Sequence, residues 1–395
     1  MRVALLQNFV APYRIPLYEK LRDRLGALKI FISTPMESDR PWIPDWGTLD
    51  VEVQKNFTIN QPVRDPSGFS RTLRIHFPYD TLPRLWSFRP DAVISVELGA
   101  RSLQAAIYRV LRPSSRLVIW CKLSEHSERA WGGIRNRLRA WILRRADGVM
   151  VNGESGARYI ARFGVPDSLI FRINQPIDVD RFTRVPRQRS DTARARMLCC
   201  GSLTERKGLV PFLRRLDLWA RLHPEKALEI WWLGDGELGP VLERQSVSSN
   251  LTQHFVGAVP YDDLPSWYSQ ADILVFPTLL DEWGLVVNEA MAAGLPVLGS
   301  IYAQAVTELV ADGVTGWIFD PTSDSNVTDA LDRIWATPDD VLIDMRAMGK
   351  ARIAGLTPET AAEKMLDALR GVLAKPWLSP AALPGEATAS PLSGS

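Results

Sequence analysis

Short apolar runs recur along most of the chain, each followed by a longer stretch with helical spacing. In the first half they are VALLQNF (residues 3–9), LKIFIS (28–33), DAVISV (91–96), RLVIW (116–120) and GVMVN (148–152). The pattern restarts at Met197 with MLCCGSL and continues through ALEIWWLG, HFVGAV, DILVFP and LPVLGS. Alternating strand and helix signals predict parallel sheets covered on both faces, so the expected fold is α/β, with two facing Rossmann-like domains. Between the two series lies INQPIDVDRFTRVPRQRSDTARA, which has no apolar period and reads as an interdomain linker. In such sheets, ligands bind beyond the carboxyl ends of the strands, so the loops there and the cleft between the domains are where chemistry is expected.

Composition narrows this picture. The 395 residues suit two domains of about 150 to 200 residues each, and 46% hydrophobic with 23% charged residues is an ordinary globular balance. No run of about 18 uncharged apolar residues occurs, and MRVALLQNFVAPYRIPLYEK reads as strand, loop and helix rather than a signal peptide. The expectation is a cytoplasmic protein that does not span a membrane. Cys121, Cys199 and Cys200 lack metal-ligand spacing and read as small buried residues in a reducing compartment. The tail from Pro376, rich in Pro, Ser, Ala and Gly, is expected to be disordered.

The net charge is only +2 but unevenly placed: residues 1–183 hold 28 Lys and Arg against 18 Asp and Glu, and the rest hold 19 against 27. A basic first half predicts an acidic partner, phosphate-bearing lipid or anionic membrane, at the inner face of the membrane rather than nucleic acid. Residues 129–145 add to this, because Arg135, Arg139 and Arg144 or Arg145 recur at helical spacing opposite Ile134, Leu138, Trp141 and Ile142.

Two loops of the second half carry candidate chemistry. MLCC runs into Gly201, Ser202, Leu203, Thr204, Glu205, Arg206, Lys207 and Gly208 ahead of a helix, where glycine backbone, helix N–H groups and cationic side chains form a cradle for a diphosphate. The Gly-Lys-Ser/Thr ending of an ATP-binding loop is absent. Further on, Glu282 precedes an apolar helix that contains Glu289. A buried carboxylate needs donors, and sugar or ribose hydroxyls supply them; the seven-residue spacing predicts one helical face for both.

Glu282 to Gly294 resembles the E-x7-E signature of family 4 glycosyltransferases, which are retaining enzymes of the GT-B fold. Gly201 to Gly208 resembles that family's G-R-L-x-x-x-K-G loop, Asp312 to Gly316 its D-G-x-x-G segment, Asn174 to Phe182 its N-x-x-D-x-x-x-F linker, and Ala11 to Leu17 its P-Y-R loop variant. The resemblance implies that Glu289 binds ribose hydroxyls, Lys207 the diphosphate, and Glu282 with the backbone of Trp283, Gly284 and Leu285 the donor sugar. His126 corresponds to the residue of the first domain that approaches the transferred sugar, with Glu282 and Lys207 completing the catalytic set. Arg206, Gly201, Ser202, Gly234, Val259 and Arg14 complete the substrate-binding positions. Ser202 stands where the family carries an Arg, and Arg206 is expected to supply that charge from the other end of the loop. The first loop also lacks the family's double glycine.

The resemblance further implies a cofactor-free transferase whose co-substrate is a nucleoside diphosphate sugar, UDP by family frequency, and whose acceptor is a saccharide or lipid-linked saccharide in polysaccharide or glycolipid assembly. It divides the chain into an acceptor-binding domain (1–183), a linker (184–196), a nucleotide-sugar-binding domain (197–357), a helix returning to the first domain (358–375) and the tail (376–395). Asp178-Val179-Asp180 matches a D-x-D metal motif but lies in the linker and is read as capping it. The competing classes are a sugar-nucleotide epimerase, a catalytically inert sugar-nucleotide binder and an NAD-dependent oxidoreductase using Gly234 to Gly239, a G-x-G-x-x-G match. The last lacks the acidic residue at the end of the following strand.

Overall fold

The computed structural model describes residues 1–37, 43–65, 68–128 and 133–374. The tail expected to be disordered and residues 129–132 of the basic stretch lie outside the described residues. The first domain holds strands β1 (Arg2–Gln7), β2 (Ala27–Ile32), β3 (Asp50–Val53), β4 (Asn56–Arg64), β5 (Ser70–Pro78), β6 (Ala92–Val96), β7 (Arg116–Cys121), β8 (Gly148–Val151) and β9 (Ile170–Arg172). Seven of them form a sheet in the order β3-β2-β1-β6-β7-β8-β9, and every described pairing in it is parallel. The second domain holds β10 (Arg196–Cys200), β11 (Leu228–Leu233), β12 (Leu251–Gly257), β13 (Ile273–Phe276), β14 (Val297–Ser300) and β15 (Gly316–Phe319), paired in parallel as β12-β11-β10-β13-β14-β15.

The near-continuous apolar strands are buried because helices cover both faces of each sheet. In the second domain, Met197, Ile230 and Trp232 face the helix Leu209–Leu222, whereas Leu198, Trp231 and Leu274 face Val287, Ala290 and Met291 of the helix Leu285–Ala292. The last helix, Pro358–Ala374, packs Ala362, Met365 and Leu369 into the first domain's core, and Glu359 pairs with Lys20 at 2.7 Å.

The pair β4-β5 is an antiparallel hairpin outside both sheets, with Phe57 and Ile59 exposed. Pro62 and the polar residues around it kept this segment out of the sequence-based strand series. The hairpin reaches the other domain, where the backbone N–H of Ser70 donates to Glu205 at 3.2 Å.

The crossing between domains lies within the segment 173–195 read as a linker, ahead of residues 184–196. Ile177, Val179 and Phe182 are already packed in the second domain's core, Phe182 edge-on to Tyr261 and Tyr268. The return crossing is alongside, since Ile177 N–H donates to the carbonyl of Leu356 at 3.2 Å. Asp178 caps the short helix Val179–Thr183 by accepting from the N–H of Arg181, as read for the D-x-D match. The linker itself is bolted down: Asp272, fully buried, accepts from Arg187 (2.9 Å), Arg189 (3.0 Å) and the N–H of Arg196 (2.9 Å). All three cysteines are free thiols.

Candidate functional site

The site is built by loops at the carboxyl ends of β10 and β13, where the strand order of the second sheet reverses. Gly208 adopts φ +64°, and a Cβ there would fall 2.3 Å from the carbonyl oxygen of Pro277, so the cationic turn can lie against the loop after β13 only with glycine. Lys207 thereby reaches across, its Nζ 2.8 Å from Oδ2 of Asp281 and 4.6 Å from the centre of the Phe276 ring. Gly201, Ser202, Lys207 and Phe276 line one small recess.

Asp281 is the residue the sequence reading missed. Burial pushes its carboxyl up, but Lys207 and then Arg206 outweigh that and hold it well below the usual carboxylate range. Arg206 donates to the carbonyl of Leu280 (2.7 Å) and to Asp281 (3.3 Å). Its guanidinium is thus committed to holding the loop, so the expected substitution for the family's Arg at Ser202 is not what this geometry displays. Burial lowers the Lys207 ammonium's pKa, with Asp281 opposing. Sequence offered one signal, an acidic residue beside Glu282, but not its partner.

Gly284, at φ +99°, ends the loop and opens the helix Leu285–Ala292. A Cβ there would meet the Phe276 ring at 2.6 Å. Because the chain turns here, Glu282 precedes the helix and does not share a helical face with Glu289, which corrects the two-turn reading. Glu282 is exposed in the cleft, while Trp283 is buried and its backbone N–H donates to Oδ1 of Asp281 at 3.2 Å. The Trp283 N–H is therefore engaged within the loop; Leu285 starts the helix with its side chain half-buried.

Glu289 is buried among apolar residues, and the hydroxyl of Tyr268 donates to its Oε2 at 2.9 Å. Burial pushes its carboxyl up to about 7, against the pull of that hydrogen bond. Glu289 and Lys207 are carried by the adjacent strands β13 and β10: Lys207 lines the recess with Cys200 at the end of β10 and reaches Asp281 in the loop that leads into the Glu289 helix. Burial raises the Cys200 thiol to about 12, Glu289 adds to the rise and Lys207 opposes it.

Gly234 and Gly236 serve a packing purpose. A Cβ at Gly234 would lie 1.9 Å from the carbonyl oxygen of Gly201, and one at Gly236 would lie 2.4 Å from that of Leu203. The carbonyl of Asp235 accepts from the N–H of Leu203 at 2.8 Å. These glycines let the loop after β11 lie against the cationic loop, and they account for the G-x-G-x-x-G match without a dinucleotide. Val259, partly buried, packs against the core on the same side as Tyr261.

The first domain faces this site. The ring of His126 stands edge-on to Tyr302, centroids 5.9 Å apart, and the carbonyl of Tyr302 accepts from the N–H of Asp281 at 3.1 Å. Asn152 donates to the carbonyl of Glu282 (3.4 Å), and Gln304 to that of Lys122 (2.9 Å). Arg14 is buried with its guanidinium 4.9 Å from the Trp120 ring and 5.6 Å from that of its neighbour Tyr13. A cavity of about 940 Å³ opens beside His126, lined further by Arg137, Trp141, Arg144, Tyr159 and Phe163. Among the described residues, no three His, Cys, Asp or Glu side chains come together as a metal site.

Comparison with known proteins places these loops in a family. Residues 194–337 match the family model described as glycosyl transferases group 1, and the two parallel sheets with their facing loops have the GT-B architecture. It is 29% identical over 203 residues to the GDP-mannose-dependent alpha-(1-6)-phosphatidylinositol monomannoside mannosyltransferase of Mycolicibacterium smegmatis, covering 46% of this chain and 51% of that protein. It is 28% identical over 171 residues to a D-inositol 3-phosphate glycosyltransferase of Paenarthrobacter aurescens, covering 40% and 41%. The chain thus spans about half the length of the curated relatives it matches. The solved structure of Anabaena HepE in complex with UDP superposes with a TM-score of 0.69 over 94% of this chain and 100% of that one, at 16% identity, which establishes the shared fold.

Proposed function

We propose that the chain is a retaining glycosyltransferase that moves a sugar from a nucleoside diphosphate donor to a saccharide or lipid-linked saccharide. The observation that carries this reading is the placement of Lys207 and Glu289 by the adjacent strands β10 and β13 where the second sheet reverses its order, with Lys207 hydrogen-bonded to Asp281 in the loop that leads into the Glu289 helix. One supplies a cation for a diphosphate and the other an acceptor for ribose hydroxyls. Glu282 stands at the cleft where the donor sugar would lie, with His126 approaching from the first domain.

In this reading the leaving diphosphate gathers negative charge as the sugar–phosphate bond lengthens, and Lys207 with the nearby helix N-terminus stabilises it. Fixed cations can perform that task without a divalent ion. The diphosphate oxygen accepts the proton of the attacking hydroxyl on the same face, which retains the configuration at the anomeric carbon. UDP is the expected nucleotide; the mycolicibacterial relative is GDP-mannose-dependent by name and HepE was solved with UDP, so sugars of both are donors to test.

The acceptor would enter through the cavity beside His126, whose aromatic floor and arginine rim suit an amphiphile. The protein would work in the cytoplasm at an anionic membrane. The described residues contain no helix long and apolar enough to cross a membrane. On the helix Ile134–Leu143, Ile134 and Leu138 are exposed beside Arg137, an arrangement suited to lying at a lipid surface. Arg139, expected in the basic stripe, is instead buried and paired with Glu128 at 2.5 Å, so it adds nothing to a membrane-facing charge.

A screen of UDP- and GDP-sugars that follows nucleotide release tests the reading. Turnover of at least one donor is expected; binding of NAD with no affinity for UDP or GDP would replace it with the oxidoreductase class.

A further inference from the structure

The first sheet also reverses its strand order, between β1 and β6, and the crevice at that point is where α/β domains place ligands. In the second domain the corresponding loops carry Lys207 and Glu282. In the first, β1 leads to Arg14, and β6 ends at Glu97. Glu97 holds φ +67°, one of two non-glycine residues with positive φ among those described. Such a conformation is unfavourable for a side chain with a Cβ and persists only where the surroundings fix it. They do so here: the N–H of Glu97 donates to the carbonyl of Trp120 at 3.0 Å, and its own carbonyl accepts from the hydroxyl of Ser102.

The side chain so aimed is unfinished. Oε2 of Glu97 is buried and has no hydrogen-bond partner among the described residues, although the residue keeps a window to the cleft. The charged groups facing it are Lys122 after β7, Arg101 on the helix Ala100–Leu111, Glu128 in the loop before the basic helix, and Glu282 from the opposite domain. Arg101 is turned to Asn8 (2.5 Å) and Ser33 (2.7 Å), and Glu128 to Arg139. Burial, reinforced by Glu282, pushes the Glu97 carboxyl up, and burial, reinforced by Arg14, pushes the Lys122 ammonium down. The unpartnered Oε2 of Glu97 can accept a hydrogen bond, and a sugar hydroxyl can donate one.

We propose that Glu97 receives and orients the attacking hydroxyl of the acceptor saccharide, with Lys122 reading a neighbouring oxygen, while Glu282 holds the donor sugar on the other side. This deepens the transferase reading and rests on it. The acceptor group recognised is a sugar hydroxyl, and the phosphate of a lipid carrier would lie further out, toward the arginine-rimmed cavity.

The test uses the full chain. UDP and GDP are titrated calorimetrically, and sugars of whichever nucleotide binds are then supplied with free hexoses and methyl hexosides as acceptors, following nucleoside diphosphate release across neutral to alkaline pH. Glu97→Gln is expected to slow release by at least an order of magnitude, with the nucleotide Kd within about twofold of wild type. The wild-type rate should rise with pH as Glu97 ionises, before Lys122 loses its proton, and the Gln variant should lack that rise. Glu97→Gly relieves the positive φ, so it should keep or raise the unfolding midpoint while losing the rate; a merely structural role predicts the reverse. Wild-type turnover and pH dependence in Glu97→Gln, or parallel loss of nucleotide affinity, would overturn the assignment. A wild-type chain that binds neither nucleotide, or binds one but turns over no donor, removes the transferase reading and this role with it.

Discussion

Nζ of Lys207 lies 2.8 Å from Oδ2 of Asp281, so the cation expected to meet the diphosphate is already held in place by a largely buried carboxylate. Such a pair is costly to break, because removing one partner leaves the other charged and unsolvated. Asp281→Ala is expected to lower stability by about 3 to 5 kcal/mol, checked by urea unfolding at neutral pH. The carboxyl's folded pKa is depressed, so its contribution is present above its unfolded value near 3.9 and fades as pH falls below that. The difference between wild type and variant should therefore shrink in acid.

Glu289 has the opposite sign. Its carboxyl is raised to about 7, so ionising it costs the folded state nothing below an unfolded value of about 4.3 and progressively more as pH rises to 7. Ribose hydroxyls need the carboxylate, so nucleotide binding should release a proton below pH 7. Affinity should weaken by up to about tenfold for each pH unit lowered below 7. Calorimetry in buffers of different ionisation enthalpy checks this, and Glu289→Gln should bind more weakly with no such pH dependence.

Asp272 anchors the linker through Arg187 and Arg189 and is fully buried. Asp272→Ala is expected to cost roughly 3 to 5 kcal/mol by stranding those guanidinium groups. It lies outside the nucleotide loops, so the surviving folded fraction should bind UDP or GDP with unchanged Kd. A loss of affinity larger than the loss of folded protein would show that the linker shapes the site.

Membrane contact is testable on the helix Ile134–Leu143. Full-length protein should sediment with phosphatidylglycerol-containing vesicles and release at high salt, because screening weakens the attraction of Arg137 and Arg144. Ile134→Asp with Leu138→Asp should abolish sedimentation, since both side chains are exposed. Salt-independent failure of the wild type to bind would end the idea.

The inner strands of both sheets were legible in the sequence because strands buried on two faces must be apolar throughout, as in Leu5, Ile94, Leu198 and Val275, whereas the short edge strands β3, β9 and β15 were not. The cationic turn and Glu289 were legible for a related reason: a charge next to glycines, or inside an apolar helix, needs a partner. What stayed hidden was pairing in three dimensions. Nothing in helical spacing says that Arg139 turns inward to Glu128 while Ile134 faces solvent. Asp281 looked like a neighbour of Glu282 until the fold brought Lys207 to it. Glu97 gave no sequence signal, since a positive φ at a residue with a Cβ is imposed by tertiary contacts. The β4-β5 hairpin escaped because its alternation is polar and it joins neither sheet.

The central claim is that Lys207 and Glu289 grip the same nucleoside diphosphate. Calorimetric titration of UDP and of GDP into wild type, Lys207→Ala, Glu289→Ala and the double variant measures this directly. The account predicts saturable binding of one nucleotide by the wild type, at least tenfold weaker binding by each single variant, and the matching nucleoside monophosphate bound with little sensitivity to Lys207 but full sensitivity to Glu289. Near-normal affinity in either single variant, with the fold intact, would contradict it.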